Sequence, residues 1–402
     1  MRRPRVLTLT YGLPYPPHSG GRLRDYHLLR ALAADCDQTL LSLLEFPEEA
    51  AHVNALAPYC RRVEVVPSAP PGRWRAMRAA AHGWPPALAR YYAPELIARL
   101  HALLAAEPFD IVQIENLELA PYIAALPRRH RPRTVLTLHN VLARQYQLPG
   151  GWAVSRAARW RAALKAWLLR DLDARYAPRF DAVITVSALD RERLLTRLPA
   201  GRPPVTVVDN GVDVEALQPL PPAPEPVLLF LGTLGYEPNI DAAQFFTAEV
   251  LPRVRAAVPA VRLVIAGQHP APSVLALAQQ PGVRVLGAVP EVTPLYAQAQ
   301  VVVVPLRAGG GTRLKILEAL ALGRALVSTP VGCEGLDLEA GRHLVVAEDA
   351  AALAEAVVAL LRDPKRRAEL AAAGRARVVA RYAWPRLASD LLALYRRLLA
   401  AA

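Results

Sequence analysis

Short apolar runs alternate with longer helical patterns along the chain. In the first half, β-branched and apolar runs predict strands, and the amphipathic stretches between them predict helices. The predicted strands are Val6–Thr10, Gln38–Leu44, Arg62–Val66, Ile111–Ile114, Thr134–Leu138, Ala182–Val186 and Val205–Val208; the clearest helical stretches are Arg22–Ala33, Pro94–Ala105 and Ser155–Tyr176. This alternation is typical of a parallel sheet with helices on both faces.

The second half repeats the same pattern. Five further strands are predicted at Val227–Leu231, Arg262–Ala266, Val283–Leu286, Val301–Val304 and Ala325–Ser328. The helical stretches are Asp241–Val258, Leu314–Leu322, Ala350–Arg362 and Arg366–Arg381. The sequence therefore predicts two α/β domains, each a doubly wound parallel sheet.

A proline-rich segment separates the two halves. Leu217–Pro226 holds five prolines in ten residues, which excludes a helix or a central strand and predicts a linker. We expect an N-terminal domain over residues 1–217 and a C-terminal domain over 218–402, with the ligand site at the carboxyl ends of the strands, in a central cleft that both domains face. The final stretch, 384–402, has an apolar face and is expected to pack back on the N-terminal domain.

Composition narrows the class of protein. The 402 residues are 53% hydrophobic and 21% charged, which excludes a disordered chain. The three cysteines, Cys36, Cys60 and Cys333, are too far apart for a disulfide framework or a Cys/His metal site. No apolar run approaches the roughly 20 residues of a membrane span. These features favour a cytoplasmic protein.

The net charge of +13 is weak evidence about partners. Of the 48 basic residues 45 are arginine, in a chain rich in alanine and proline, so genome composition accounts for part of the excess. Residues 1–217 carry 29 basic and 20 acidic side chains, against 19 and 15 in the rest. This asymmetry indicates an anionic surface or substrate at the first half, and no motif indicates nucleic acid.

The segment with the clearest chemistry is a three-glycine loop between a predicted strand and a predicted helix. Gly309, Gly310 and Gly311 are followed by Thr312 and Arg313, with Lys315 and Glu318 in the next turns. Two cations at a helix start oppose the helix dipole, so a bound phosphate would explain them. A carboxylate one turn further on can accept hydrogen bonds from ribose hydroxyls. The alternative is an ordinary glycine turn followed by a charged surface face; the nucleoside-triphosphate P-loop pattern is absent.

This segment resembles the donor-binding signature of glycosyltransferase family 4, a family of retaining GT-B glycosyltransferases. Residues 309–319 carry the strongest likeness, and 323–336 continue it. Val207–Asp213 resembles the interdomain element of the family, with Asp209 in place of its usual proline. The resemblance spans nearly the whole chain.

The resemblance implies a GT-B enzyme that transfers a sugar from a nucleotide-diphosphate sugar, bound by the C-terminal domain, to a glycan, lipid-linked or small-molecule acceptor. Gly310, Gly311, Thr312, Arg313 and Lys315 would bind the diphosphate, and Glu318 the ribose. Two departures affect this expectation. The first of the two glutamates in the family signature is replaced by Gly310, and the loop Gly232–Asn239 lacks the basic residues usual there. The sequence thus also leaves open a non-catalytic nucleotide-binding homologue and a nucleotide-sugar epimerase.

Two positions in the N-terminal domain complete the predicted site. Gly20 and Gly21 lie between the first strand and its helix, a geometry that suits an anion. His139 follows the strand Thr134–Leu138, where a side chain points toward the ligand crevice, and the family carries an active-site histidine there. The alternative is a structural loop histidine. Glu115, at the end of another strand, is a lesser candidate.

No metal or other cofactor is expected. The remaining histidines show no ligand spacing, and in the resembled family side chains and amides neutralise the leaving diphosphate. A basic stretch, 151–179, contains three tryptophans. We expect Trp160, Leu164, Trp167 and Leu168 to form a core stripe; contact with an anionic membrane at its inner face is the alternative.

Overall fold

The structure, a computed structural model, describes residues 2–68, 72–127, 131–139, 156–169, 171–311 and 313–401. Its contacts divide the chain into two compact units. Among the described residues, the first unit comprises 2–210 together with 384–401, and the second comprises 211–383. The division falls after Asn210, ahead of the proline-rich segment.

The first unit is built on a seven-stranded parallel sheet. The strands are β1 (Arg5–Tyr11), β2 (Asp37–Leu44), β3 (Arg62–Pro67), β4 (Ile111–Glu115), β5 (Arg133–Leu138), β6 (Ala182–Thr185) and β7 (Val205–Val207), in the spatial order β3-β2-β1-β4-β5-β6-β7. The order reverses between β1 and β4, where Leu9 pairs with Ile114. Such a reversal opens a crevice at the carboxyl ends of the strands, which is where ligands bind in this class of sheet.

Helices flank this sheet in the order that the alternating pattern predicts. The α-helices of the first unit are α1 (Gly20–Leu32), α2 (Arg73–Ala81), α3 (Pro94–Ala106), α4 (Arg156–Leu169), α5 (Leu172–Tyr176) and α6 (Ala188–Leu195). Short 3-10 helices span Pro47–Leu56, Pro86–Tyr91, Leu117–Ala125 and Ala177–Arg179. Ser187 caps α6, since its hydroxyl accepts a hydrogen bond from the backbone N–H of Asp190 at 3.0 Å.

The second unit has a six-stranded parallel sheet. Its strands are β8 (Val227–Leu231), β9 (Arg262–Ala266), β10 (Val283–Leu286), β11 (Val301–Val304), β12 (Ala325–Ser328) and β13 (Val345–Val346), ordered β10-β9-β8-β11-β12-β13. The reversal here lies between β8 and β11. Both strands are fully buried, because helices cover both faces of the sheet.

The helices of the second unit are α7 (Glu237–Phe245), α8 (Leu251–Ala257), α9 (Pro272–Leu275), α10 (Thr293–Gln298), α11 (Leu314–Ala321), α12 (Ala350–Arg362) and α13 (Pro364–Tyr382). The last three start and end close to predicted positions, whereas the short helices α9 and α10 were not predicted. The predicted helix over 241–258 is interrupted by one π-helical turn at Phe246–Val250, just before Pro252. The two-residue strand β13 was not predicted, since so short a run carries no periodicity.

The last helix, α14 (Trp384–Ala400), belongs to the first unit although it follows the second in sequence. Its apolar face, which includes Leu387, Leu391 and Leu394, shares one buried cluster with Leu28 and Leu32 of α1. An imidazole–indole stack, His27 on Trp384 with 5.2 Å between ring centres, adds to this contact. Burial of the leucine face supplies the stability that this helix would lack in isolation.

The expected core stripe on the tryptophan-containing helix is wrong. Trp160 and Trp167 are 67% and 64% exposed, and Leu164 and Leu168 are 38% and 39% exposed. The helix is anchored instead by Leu169, which is buried in the core of the first unit. Helical periodicity identifies an apolar face, but only the fold decides whether that face meets the core.

Candidate active site

The three-glycine loop lies at the carboxyl end of β11, beside the reversal in strand order of the second unit. Gly309 and Gly311 have φ values of +116° and +81°, which favour glycine. A Cβ on Gly309 would also lie 3.2 Å from the Arg313 guanidinium. At Gly310, by contrast, an added Cβ would meet nothing within 4 Å, so this position is sterically open. Thr312, a predicted ligand of the diphosphate, lies outside the described residues.

Arg313 immediately precedes α11 and is 8% exposed. Its guanidinium donates hydrogen bonds to the carbonyl oxygens of Gly311, at 2.9 Å, and of Gly310. The side chain therefore fixes the shape of the glycine loop and places a positive charge where the helix begins.

Lys315 links the first turns of α11 and α7, the helices that follow β11 and β8. Its Nζ donates to the Oδ1 of Asn239 at 3.1 Å and lies 4.8 Å from the centre of the Phe230 ring. Asn239 is oriented in turn by donating from Nδ2 to the carbonyl of Thr233, at 3.0 Å. Desolvation, followed by the positive charge of Arg313, lowers the pKa of the Lys315 amine to about 7. The arrangement leaves an amine that an added negative charge would favour in its protonated form.

Glu318 lies one turn further along the same helix. The hydroxyl of Tyr296, from α10, donates to its Oε2 at 3.3 Å and lies 3.2 Å from the carbonyl oxygen of Lys315. Desolvation raises the pKa of the Glu318 carboxyl. The hydrogen bond from Tyr296 and the charge of Lys315 offset part of this rise. Glu318 is half-buried, so its carboxyl group is held in place one turn after Lys315.

In the first unit, His139 follows β5 and its side chain is only 10% exposed. Its Nε2 lies 2.8 Å from the Oε2 of Glu115, the last residue of β4. On the other side of the ring, a Cβ built on Gly21 would lie 3.4 Å from Nδ1. The structure thus brings together His139, Gly21 and Glu115, three residues that the sequence placed in the site.

The helix start beside His139 also matches the sequence pattern. Helix α1 begins at Gly20, directly after Ser19, so the first-turn amides of Gly20 and Gly21 stand at the carboxyl end of β1. Arg22 is turned away from this position, since its guanidinium is paired with Glu45 at 2.9 Å and with Glu49. The backbone amides, rather than that arginine, are what the loop offers to an anion.

Several residues that the sequence analysis missed complete both sites. In the second unit they are Asn239, Phe230 and Tyr296. In the first unit they are Asp25, whose Oδ1 lies 3.8 Å from the Nε2 of His139, and the fully buried Arg24. Asp25 could have been found from its spacing, one turn after Gly21 on α1. Tyr296 carried no signal, because its contact with Glu318 depends on the packing of α10 against α11.

Comparison of the sequence with known protein families gives two matches. Residues 26–216 match the model described as Glycosyltransferase Family 4, and residues 225–363 match the model described as Glycosyl transferases group 1. The alpha-maltose-1-phosphate synthase of Mycolicibacterium smegmatis is 30% identical over 295 residues, covering 65% of this chain and 72% of that protein.

Solved structures show the same fold over the whole chain. The sucrose-phosphate synthase of Thermosynechococcus elongatus superposes with a TM-score of 0.72 at 20% identity, covering 100% of both chains. Anabaena HepE in complex with UDP-glucose has a TM-score of 0.66 at 16% identity, covering 98% of this chain and 100% of that one. Among the described residues, no helix combines the length and the apolar character that crossing a bilayer requires.

Proposed function

Because the chain belongs to the family 4-like glycosyltransferases of the GT-B fold, we propose that it transfers a hexosyl group from a nucleoside-diphosphate sugar to a hydroxyl acceptor, with retention of configuration at the anomeric carbon. The UDP-glucose in the HepE complex supports a donor of the UDP-glucose type.

One observation carries the proposal: two cationic side chains are held close together at the start of α11. Arg313 is buried against the glycine-loop carbonyls, and its charge helps to lower the pKa of Lys315 to about 7. Like charges in a desolvated place cost free energy unless an anion balances them. A diphosphate bound there would balance them and would also accept hydrogen bonds from both side chains.

The remaining site residues have distinct roles in this proposal. The amides of Gly310, Gly311 and Thr312 would approach the diphosphate, and Glu318 would accept hydrogen bonds from the ribose hydroxyls. His139 would orient the donor sugar or its leaving phosphate. The amides of Gly20 and Gly21, at the start of α1, would bind an anionic group of a substrate.

In the transfer step, the bond between the anomeric carbon and the diphosphate oxygen breaks and its electron pair stays on the diphosphate. Arg313 and Lys315 would stabilise the charge that develops there. The acceptor oxygen forms the new bond on the face that the diphosphate leaves, and its proton passes to the departing diphosphate. Glu115 is a poor nucleophile for a double displacement, since both its oxygens already accept hydrogen bonds from protein groups and it is 2% exposed.

The reaction is proposed to need no divalent metal, because two side-chain cations and the loop amides supply the positive charge. Transfer should therefore persist after dialysis against a chelator. Loss of activity that added Mg²⁺ or Mn²⁺ restores would contradict this part of the proposal.

The test of the function is an incubation with a panel of nucleoside-diphosphate sugars, with and without hydroxyl acceptors. Sugar transfer, or slow donor hydrolysis without acceptor, supports a transferase, and the anomeric proton coupling of the product reports retention. An isomerised donor sugar would instead identify an epimerase. Binding without any turnover across the panel would identify a nucleotide-binding homologue without activity.

The assignment of the diphosphate site is tested with Arg313→Ala. A lost charged hydrogen bond should weaken nucleoside-diphosphate binding by about 1.5–3 kcal/mol. Arg307→Ala is the matched control, because Arg307 lies in the same loop but is exposed and paired with Asp241 at 2.9 Å. Equal affinity in the parent and in Arg313→Ala would place the diphosphate elsewhere.

The ribose contact is tested with Glu318→Ala. This variant should lose discrimination between ribo- and deoxyribonucleotide donors, because the carboxylate recognises the hydroxyl that distinguishes them. Tyr296→Phe removes the hydroxyl that donates to Glu318 but keeps the carboxylate, so its selectivity should remain close to that of the parent. Unchanged selectivity in Glu318→Ala would mean that Glu318 does not contact the ribose.

The acceptor is proposed to be lipid-linked and reached at an anionic membrane. The apolar face of α4, formed by Trp160, Leu164, Trp167 and Leu168, is exposed, and so are Trp74 (79%) and Met77 (62%) on α2. Both helices contact the same short 3-10 helix, Pro86–Tyr91, so their exposed residues belong to one region of the first unit. Exposed arginines on α2, Arg73 and Arg78, accompany the apolar side chains. Indole rings with cationic neighbours suit the interface of an anionic bilayer.

Vesicle sedimentation tests this attachment. The protein should bind vesicles that contain about one third phosphatidylglycerol more tightly than phosphatidylcholine vesicles, in a salt-dependent manner. Replacing Trp74, Trp160 and Trp167 by serine should abolish binding. The control replaces Leu275 and Val379, exposed apolar residues of the second unit, by serine. Identical binding by the two variants would refute a membrane surface on α2 and α4.

A further inference from the structure

A chain of buried hydrogen bonds runs from the last helix to the ring of His139. The hydroxyl of Tyr395, on α14, donates to Oε1 of Gln113, and Nε2 of Gln113 donates to Oε1 of Glu115. The same Glu115 oxygen accepts from the Thr137 hydroxyl at 3.1 Å, while the other oxygen faces Nε2 of His139 at 2.8 Å. Tyr395 and Glu115 are 1% and 2% exposed, so water does not compete for these contacts.

A second carboxyl group faces the same ring nitrogen. The Oδ1 of Asp25 lies 3.8 Å from Nε2 of His139, and Asp25 is 6% exposed. Within the part of the chain that the structure describes, this oxygen is buried without a hydrogen-bond partner. A buried, unsatisfied carboxyl oxygen is costly unless a cation lies close to it. The imidazole of His139 is the group placed to provide that cation.

The charged groups around the ring come from several elements and have opposite signs. Asp25 and the fully buried Arg24 lie on α1, Glu115 on β4, and the uncharged Tyr395 on α14. Arg24 donates to the carbonyl oxygen of Asp209 at 2.7 Å and to Oδ1 of Asn210 at 3.1 Å. Arg24 also lies near the buried Asp209, so Asp25, Glu115 and Asp209 together carry more negative charge than Arg24 alone can balance. A protonated His139 reduces this excess.

The pKa shifts of His139 and Glu115 agree in direction with a protonated imidazole. Desolvation lowers the pKa of His139, but the hydrogen bond that His139 donates to Glu115, together with the charge of Asp25, outweighs it and raises this pKa above its ordinary value. Desolvation, followed by the charge of Glu115, raises the pKa of Asp25 to about 7, whereas His139 and Arg24 act to lower it. The hydrogen bond and the charge of His139 outweigh desolvation and lower the pKa of Glu115.

We propose that Glu115, Asp25 and the Tyr395–Gln113 pair are positioning residues that keep His139 in its imidazolium form and fix its ring. With Nε2–H committed to Glu115, the second proton stands on Nδ1, the nitrogen beside Gly21. A Cβ built on Gly21 would lie 3.4 Å from Nδ1, in van der Waals contact, so this nitrogen lies close to the start of α1. A cationic N–H donor in this position would stabilise negative charge as the glycosidic bond breaks. This catalytic consequence rests on the proposed function, whereas the protonation state does not.

The same three groups could be mistaken for a metal site, since Asp25, Glu115 and His139 each place one ligand atom within 4.8 Å of the others. Two features favour a proton over a metal ion. The Arg24 guanidinium already supplies positive charge to both carboxyl groups, and the Glu115 oxygens are occupied by Gln113, Thr137 and His139.

The decisive measurement is an NMR titration of His139 in the full-length protein with labelled histidine, assigned with His139→Gln. In the parent, the titration midpoint of His139 should lie above the ordinary imidazole value of about 6.5. Glu115→Gln and Asp25→Asn should each lower its midpoint, by roughly one to three pH units for the closer Glu115. The alkaline limb of the kcat profile should move by the same amount. A parent midpoint at or below about 6.5, or a midpoint that neither variant moves, would overturn the inference.

The contribution of the last helix is tested with Tyr395→Phe against Tyr122→Phe. Both tyrosines are 1% exposed in the first unit, and the Tyr122 hydroxyl also makes two hydrogen bonds, to Ala93 at 2.9 Å and Tyr91 at 2.7 Å, away from His139. Tyr395→Phe should lower kcat several-fold and move the His139 midpoint, whereas Tyr122→Phe should lower only the unfolding midpoint. If the two variants behave alike, the Tyr395–Gln113 pair does not act on His139.

The two proposals fail in different ways. If the donor panel gives no transfer while the His139 midpoint shifts as expected, the proposed function is wrong and the positioning of His139 by its buried neighbours is supported. If transfer proceeds while Glu115→Gln and Asp25→Asn leave the His139 midpoint unchanged, the positioning of His139 is wrong and the proposed function is supported.

Discussion

The Nζ of Lys315 lies 3.1 Å from the Oδ1 of Asn239 and so joins the first turn of α11 to the first turn of α7. These helices follow β11 and β8, the two strands between which the strand order of the second sheet reverses. A single hydrogen bond therefore spans the position at which sheets of this class bind ligands. It uses a lysine in a place where an anion would be a stronger partner than a neutral amide.

Replacing Lys315 by methionine should weaken nucleoside-diphosphate binding by about tenfold to a hundredfold, the range for one charged hydrogen bond. Methionine keeps an unbranched apolar side chain and removes the amine, with its hydrogen bond to Asn239 and its contact with the Phe230 ring. Binding is measured by calorimetry. Lys365→Met is the matched control, since Lys365 is an exposed lysine on α13 of the same unit. Equal loss in the two variants would indicate a general effect of charge rather than a contact.

Donor binding should be accompanied by proton uptake near neutral pH. The pKa of Lys315 is about 7 in the free protein, below its ordinary value of 10.5, because of desolvation and the charge of Arg313. A bound diphosphate favours the charged amine and raises this pKa, so donor affinity should fall as pH rises above about 7, by at most tenfold per pH unit. Below this pKa the amine is protonated in both states and affinity should level off.

Calorimetry in buffers of different ionisation enthalpy measures this uptake directly. A nucleotide sugar is the appropriate ligand, because it lacks the terminal phosphate that itself titrates near pH 6. At pH 8 the parent should take up a substantial fraction of one proton, and Lys315→Met should take up almost none. Uptake of the same size in both proteins would assign the proton to another group.

Gly310→Glu should be tolerated, whereas Gly311→Ala should not. An added Cβ at Gly310 meets nothing within 4 Å, while Gly311 has a φ of +81° that strains any other residue by about 1–2 kcal/mol. In thermal unfolding, Gly310→Glu should stay within about 2 °C of the parent and Gly311→Ala should melt earlier. Because the resembled family carries a sugar-binding glutamate here, Gly310→Glu should lower the donor KM without tightening binding of the sugar-free nucleotide. A marked loss of stability in Gly310→Glu would contradict the conclusion that position 310 has room for a side chain.

His139→Ala should lower kcat by roughly a hundredfold or more, the scale for a lost positioned catalytic group. Nucleoside-diphosphate affinity should stay within a few-fold of the parent, since that contact is assigned to the other unit. Measuring kcat and the unfolding midpoint on the same preparation separates catalysis from stability. An unchanged kcat per folded molecule would leave His139 a structural residue.

The local pattern of the sequence was sufficient to locate most elements of the fold. All twelve predicted strands are present within a residue or two of their expected limits, because buried parallel strands have an apolar composition that needs no tertiary information. The glycine loop at 309–311 and the helix that follows it were equally clear, since positive φ values require glycine. The histidine after β5 was found from its position at a strand end.

Only the tertiary structure decided which side chains meet. Tyr395 and Gln113 are 282 residues apart, and no local pattern relates them. Asn239 and Lys315 are 76 residues apart and meet because β8 and β11 are neighbours in the sheet. The apolar face of α4 shows the same limit, since Trp160 and Trp167 have the spacing of core residues and are exposed. Periodicity specifies a face of a helix, whereas burial, charge balance and pKa depend on what the rest of the chain brings against that face.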